Sequence, residues 1–145
     1  MPQTTSGTSL GISLVLPTIE DEASYDALTF NVVGEITNIG DYGRVYTEIT
    51  TDPLAQRRTG KYKGNYDEGS PSFTFNRDAT DLGQIDCKTA LGLDSNVAFA
   101  ITHQDGSIDY FSGKVMSFNN SVGGVKMYEG NMQIGIDTDI IEKAP

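Results

Sequence analysis

The stretch Val97-Ala-Phe-Ala-Ile-Thr-His-Gln-Asp-Gly-Ser-Ile-Asp-Tyr-Phe-Ser-Gly-Lys-Val-Met-Ser-Phe118 decides how this chain folds. Val97, Phe99 and Ile101 alternate with small residues, the period-two signature of a strand with a buried face. Gln104-Asp105-Gly106 supplies a tight hairpin turn. The returning run, Ile108 to Phe118, carries Phe111, Val115 and Phe118, and its alternation changes phase across Gly113, which predicts a bulge there. Two strands joined by so short a turn set an antiparallel pattern, and the sequence on either side continues it.

Toward the C-terminus, residues 119–124 turn the chain, and Val125, Met127, Met132, Ile134 and Ile136 form a last strand with a kink at Gly130. Toward the N-terminus, Ser72-Phe-Thr-Phe75 is a short strand of high β propensity. Between it and Val97 lies a helix over about 79–91, capped by Asp78 or Thr80, striped by Leu82, Ile85 and Ala90 or Leu91, and stopped by Gly92. Gly83 opposes that helix by about 1 kcal/mol relative to alanine. Earlier alternating runs are Leu10 to Leu16, ended by Pro17, then Leu28 to Val32, Ile36 to Ile39 after a bend at Gly34, and Val45 to Ile49. The expectation is a mainly β fold, a β-sandwich or rolled barrel of about seven to eight strands with one helix on its flank. It forms a single domain over residues 1–145, with a mobile N-terminal arm at 1–8 and a loose polar tail at 137–145.

Residues 51–69 read as a long loop, because Leu54 is the only aliphatic residue larger than alanine between Thr50 and Ser70. A loop of that length inside a compact domain is usually functional. It holds Arg57, Arg58, Lys61 and Lys63 together with Tyr62 and Tyr66, and tyrosine and arginine are enriched at protein contacts. Against these cations stands an early acidic cluster, Glu20, Asp21, Glu22 and Asp26. An acidic patch and a basic arm on one molecule suit head-to-tail contacts between identical copies; the plainer alternative is a pair of solvated surface segments.

Composition narrows the function. Twenty acidic against ten basic residues give a formal charge of −10, which repels a polyanion and argues against DNA binding. No apolar run approaches the length of a spanning helix, and the N-terminal residues lack the pattern of a secretory signal. One cysteine, Cys87, precludes an internal disulfide. Catalytic groups are scarce: His103 is the sole histidine, no serine sits in a glycine-flanked elbow, and Asp137-Thr138-Asp139 lacks the glycine and distal glutamate of a calcium loop. We therefore expect no enzyme, no metal site and no cofactor.

The second half of the chain resembles the major tail tube proteins of long, non-contractile-tailed bacteriophages. The resemblance rests on the Ser72–Phe75 strand, the helix after it, the stretch Asp105-Gly106-Ser-Ile-Asp-Tyr-Phe-Ser-Gly113-Lys-Val115, and the small turn at 121–124 before a long final strand. It implies hexameric rings that stack into a tube, with one sheet of each subunit lining the bore. The partners it implies are other copies of the chain, a tape-measure protein, and terminator or baseplate proteins. DNA would pass through without specific binding, the protein would be made in the host cytoplasm, and it would reside in the virion tail. In that family the loop after the early strands packs on the adjacent ring, and its counterpart here is 51–69, although the sequence of that arm is not a family signature. Other readings of the same residues are a virion-associated β-sandwich binding module using Tyr42, Tyr62 and Tyr66, another tail component, or an enzyme using paired carboxylates.

Overall fold

The computed structural model describes residues 2–145. Among the described residues the order is β1 (Ser9–Ser13), α1 (Glu22–Asp26), β2 (Asn31–Val33), β3 (Ile36–Ile39), β4 (Val45–Thr51), β5 (Gly60–Asp67), β6 (Ser72–Asn76), α2 (Leu82–Leu91), β7 (Val97–Thr102), β8 (Ile108–Ser121), β9 (Glu129–Ile136) and β10 (Ile141–Lys143). Eight strands share one antiparallel sheet in the order β2-β1-β7-β8-β9-β6-β3, with β10 added beside β8; β4 and β5 pair only with each other.

The two outermost strands of that order, β2 and β3, are separated in sequence by only Gly34 and Glu35. Three Cα steps span at most about 11 Å, so the edges of the sheet must lie close together and the sheet rolls up. Glu35 adopts a left-handed φ of 62° in this turn. Helix α2 pins it: the Gly34 N–H donates to Asp81 Oδ2 at 2.9 Å, and Gln84 Nε2 donates to the Gly34 carbonyl at 3.0 Å. Gln84 is fully buried yet fully used, since it also bonds the Asn76 carbonyl, the Asp78 N–H and Arg77. A buried amide satisfied on all sides fixes the helix on the barrel at little desolvation cost.

Strand β8 is long because it serves two neighbours in turn. Its first half pairs with β7, from Ile108↔Thr102 to Gly113↔Val97, and with β10 on its other edge. From Gly113 onward it pairs with β9. At this crossing a Cβ on Gly113 would collide with the Gly135 carbonyl oxygen, so the glycine is needed for backbone approach. The register slip itself lies between Val115 and Ser117, not at Gly113 as the phase change suggested.

Strand β7 is buried on both sides. Val97, Phe99 and Ile101 enter the main core with Leu10, Phe75 and Phe111, whereas Ala98 and Ala100 face a second cluster around Tyr25 and Tyr110. The Tyr25 and Tyr110 rings stack with centroids 5.2 Å apart, and the Tyr25 hydroxyl bonds Ser112 Oγ at 2.7 Å. Alanine on that face lets the tyrosines lie flat against the sheet.

Several expectations change. A second helix exists: α1 covers the outer cluster, with Asp21 as its N-cap. Helix α2 runs over Leu82–Leu91, shorter than 79–91, and its cap is Asp81, whose carboxylate accepts from the Gln84 N–H at 3.1 Å, rather than Asp78 or Thr80. The supposed loop 51–69 contains the whole of a strand, β5, and the last residue of β4, because an exposed strand needs no aliphatic residues. The supposed loose tail 137–145 contains β10, which finds the free edge of β8. Strand β1 stops at Ser13, whose hydroxyl accepts from the Val15 N–H, so Leu14 and Leu16 leave the sheet. The last strand starts at Glu129, and Gly130 lies under the Phe75 ring as a paired residue instead of a kink. Of the expected arm 1–8, Met1 lies outside the described residues; Gln3 and Thr4 bond the turn between β7 and β8 through Asp105 and Gln104.

Candidate functional site

The β4–β5 hairpin is the one sheet of the described residues that leaves the barrel, and almost all of it is exposed: every residue of β4, and every residue of β5 except Gly60 and Gly64. Its two faces differ in chemistry. Tyr46 stands opposite Tyr66, and Ile49 opposite Tyr62. Gly64 and Asn65 together oppose Thr47, so the bulge between the pairs Tyr46–Tyr66 and Glu48–Lys63 lies on β5 and puts Tyr62 and Tyr66 on opposite faces. One face carries Tyr46 and Tyr66 with Glu48, Lys63, Thr50 and Lys61; Lys61 Nζ lies 3.8 Å from Glu48 and the Lys63 ammonium 4.7 Å from the Tyr46 ring centroid. The other face carries the pair Ile49 and Tyr62. All four apolar side chains are open to solvent, with exposures of 38% (Tyr46), 52% (Ile49), 62% (Tyr62) and 50% (Tyr66). Arg57 and Arg58 are exposed in the connection between the strands and make no ion pair among the described residues.

The base of the hairpin is clamped by Arg44. Its Nε donates to Glu68 Oε1 at 2.7 Å, its Nη2 donates to Asp139 Oδ1 at 3.1 Å, and its guanidinium lies 4.1 Å from the Tyr66 ring centroid. Glu68 is buried, so removing the arginine would strand a carboxylate. Nothing in the spacing of Arg44, Glu68 and Asp139 along the chain announces this clamp; only the return of β5 and the path of residues 137–140 bring them together.

The acidic cluster lies on α1. Asp21 accepts from the Ser24 N–H at 2.8 Å as the helix cap. Asp26 accepts from the Tyr110 hydroxyl at 2.5 Å and from Lys143 Nζ at 3.0 Å, and these two partners hold its carboxyl below the usual range. Glu20 and Glu22 are exposed and unengaged. Within one chain no ion pair joins the cations of 57–63 to the acids of 20–26, among the described residues. Two of the four acids thus have structural work of their own, and two are free.

The scarce catalytic candidates are structural. His103 Nε2 lies 2.8 Å from Asp109 Oδ2, and Tyr42 donates to the same carboxylate oxygen. An open groove of about 510 Å³ beside them is lined by Thr5, Thr8, Ile39, Tyr42 and His103, with no nucleophile placed against the histidine. Burial pushes the Cys87 thiol up to about 12, which keeps it protonated and unreactive. Asp137 is taken by Asn96 and Lys114, and Asp139 by Arg44. Among the described residues no group of three His, Cys, Asp or Glu side chains is placed to hold a metal ion.

A rolled antiparallel barrel with a flanking helix and a projecting hairpin defines a recognisable architecture. No family model matches the sequence, and no curated protein matches it either. Solved structures do match. Over 99% of its length the chain superposes on a chain of the SPP1 tail tube, determined by solid-state NMR and cryo-EM, covering 80% of that chain with a TM-score of 0.75 at 11% identity. It is similar over 99% of its length to a chain of the sheath/tube terminator of the PVC extracellular contractile injection system, covering 98% of it with a TM-score of 0.67 at 10% identity. It is likewise similar to a chain of the anti-feeding prophage baseplate, with 99% and 96% coverage, a TM-score of 0.66 and 8% identity. The fold is therefore one found in phage tails and contractile injection systems.

Proposed function

We propose that this chain is the repeating subunit of a tail tube, a structural protein whose copies close into rings, six to a ring, and stack into a conduit for DNA. The observation that carries this reading is the β4–β5 hairpin: Tyr46 and Tyr66 on one face, and Ile49 and Tyr62 on the other, stay exposed within the chain. An isolated two-stranded hairpin is marginal in water, so one that is clamped in place by Arg44 is built to meet another molecule. The fold shared with the SPP1 tail tube supports another copy, in the next ring, as that molecule. The hairpin's cations, Arg57 and Arg58 at its tip and Lys61 and Lys63 on β5, then meet the acidic surface of the neighbour; Asp21 and Asp26, already engaged in their own chain, are the poorer partners in the acidic cluster.

The formal charge of −10 suits a conduit, since DNA gains little from a surface with few cations to displace its counterions. The place of action is the virion tail after synthesis in the host cytoplasm, with tape-measure and terminator or baseplate proteins as the hetero-partners, and the role is not enzymatic. Negative-stain electron microscopy over a concentration series tests the reading. Wild-type protein should give rings or hollow tubes of uniform bore. Ile49→Ser with Tyr62→Ser, or glutamate at all four hairpin cations, should leave the circular dichroism unchanged and abolish stacking. Normal tubes from the serine variant would overturn the role of the hairpin.

A further inference from the structure

Four cations of the chain are held in ion pairs to carboxylates of the same chain: Arg44, Lys61, Lys114 and Lys143. Apart from the hairpin cations, that leaves Arg77, Lys88 and Lys126, none with a carboxylate within ion-pair distance among the described residues. These three are not scattered. The Arg77 guanidinium lies 5.2 Å and the Lys88 ammonium 5.9 Å from the Phe118 ring centroid. The Arg77 N–H donates to the Tyr128 carbonyl at 2.8 Å, which brings in the loop that carries Lys126. Arg77 is underused: one terminal nitrogen bonds Gln84 and the Asp78 carbonyl, while its buried Nε has no partner. The adjacent Asp78 carboxylate feels the Arg77 charge but makes no ion pair with it, being turned to Thr80 at 2.9 and 2.7 Å. Beside these cations Met127 and Tyr128 are 66% and 46% exposed. The site joins Phe118, Met127, Tyr128 and Arg77, residue types enriched at interfaces, with Lys88 and Lys126 as a charged rim.

Its complement is on the same chain. Once β1 ends at Ser13, the chain runs exposed through Leu14 (40%), Val15 (67%), Leu16 (43%) and Ile19 (62%), then reaches the two free acids, Glu20 and Glu22. This is an apolar segment ending in negative charge, opposite in sign to the patch and similar in its apolar part. No hydrogen bond or ion pair joins the two within one subunit, among the described residues. The acids stand at helix α1, which is anchored beside Tyr110, whereas the patch surrounds Phe118, eight residues farther along β8 or roughly 26 Å at strand rise.

We infer that the segment Leu14–Glu22 of one copy docks on the Phe118 patch of the next, with Glu20 and Glu22 meeting Lys88, Lys126 and Arg77. The contact joins two different surfaces, so it is heterologous and propagates head to tail, as closing a ring requires. It rests on the assembly reading above and adds a second interface, distinct from the hairpin.

A charge-swap experiment followed by sedimentation velocity tests it, using exposed positions that leave Arg77 and the fold alone. Lys88→Glu with Lys126→Glu gives one variant, and Glu20→Lys with Glu22→Lys gives the other. Each alone should raise the concentration for half-assembly by about tenfold or more, because like charges now face each other. Mixed in equal amounts they should regain most of the loss, since each offers the other a complementary pair. Wild type that assembles together with variants at an unchanged concentration, or a mixture that stays as weak as its parts, overturns this contact and leaves the tube reading standing. Wild type that is monomeric throughout overturns both.

Discussion

Gly83 shows how two effects at a single residue are decided by magnitude. Helix propensity alone says that alanine at this position should stabilise α2 by about 1 kcal/mol. The packing around it imposes a greater cost: a Cβ there would overlap the Val32 carbonyl and lie 2.5 Å from Val33 Cα, both backbone atoms of β2 that cannot swing aside. Forcing apart a packed helix and strand costs about 1–3 kcal/mol or more. Gly83→Ala should therefore destabilise the subunit, read as a lower urea midpoint at unchanged slope; a higher midpoint would mean that α2 does not sit this close to β2. Titratable residues yield a second prediction. Asp26, Asp78, Asp105 and Asp137 all have carboxyls held below their ordinary value of 3.8, by Tyr110 and Lys143, by Thr80, by Ser107, and by Asn96 and Lys114 respectively. A depressed folded value means that the unfolded chain takes up protons first, so this stabilisation is present above pH 4 and is lost as pH falls through the folded values. Tyr42 and Tyr110 act at the other end: burial, with hydrogen bonds to Asp109 and Asp26, raises them above 10, so their contribution is complete below pH 10 and is lost as pH rises beyond it. A urea midpoint that stays level between about pH 5 and 9 and falls outside those limits is the expected profile.

At the scale of elements, the hairpin and the barrel should behave as separate cooperative units. The backbone bonds of β4 and β5 are mutual, open to solvent, and tied to the rest by the Arg44 clamp, whereas β7 is buried on both faces between β1 and β8. Local opening follows from few buried contacts and exposed hydrogen bonds. Amide exchange in the isolated subunit should therefore be much faster for 45–67 than for 97–102, and Arg44→Ala should accelerate the first set only. Equal protection of both would show the hairpin to be part of the barrel. The same contrast explains which elements are legible in the sequence. Phe73, Phe75, Val97, Phe99, Ile101, Phe111, Ile134 and Ile136 all sit in the main core, because a strand with one buried face writes its period into the sequence. Strand β5 has no buried face and is legible only as a run of charges and tyrosines, which locates the arm and misses its structure. Helix α1 is five residues long, too short for any helical period, and β10 is a three-residue strand added to an edge that the sequence could not display. The Arg44–Glu68–Asp139 clamp joins residues far apart in the chain, and no local pattern carries such a fact.

At the scale of the molecule, net charge and local patches oppose each other. Copies carrying −10 repel out to about the Debye length, about 30 Å at 0.01 M salt but only about 10 Å at 0.1 M. Contacts between copies act at closer range: the exposed Ile49–Tyr62 pair on one face of the hairpin is apolar and little affected by moderate salt, and ion pairs buried in contact are screened less than distant charges. Screening thus removes the repulsion before it removes the attraction. Raising salt from about 10 mM to 150 mM should lower the protein concentration needed for half-assembly, followed by light scattering. Removing the Ile49–Tyr62 pair with Ile49→Ser and Tyr62→Ser should leave that salt response in direction but shift the whole curve to higher concentration. If assembly were instead strongest at the lowest salt, long-range attraction between oppositely charged regions would outweigh the repulsion of the net charge. The hairpin cations and the Phe118 patch would then be the dominant source of association, with the Ile49–Tyr62 pair secondary.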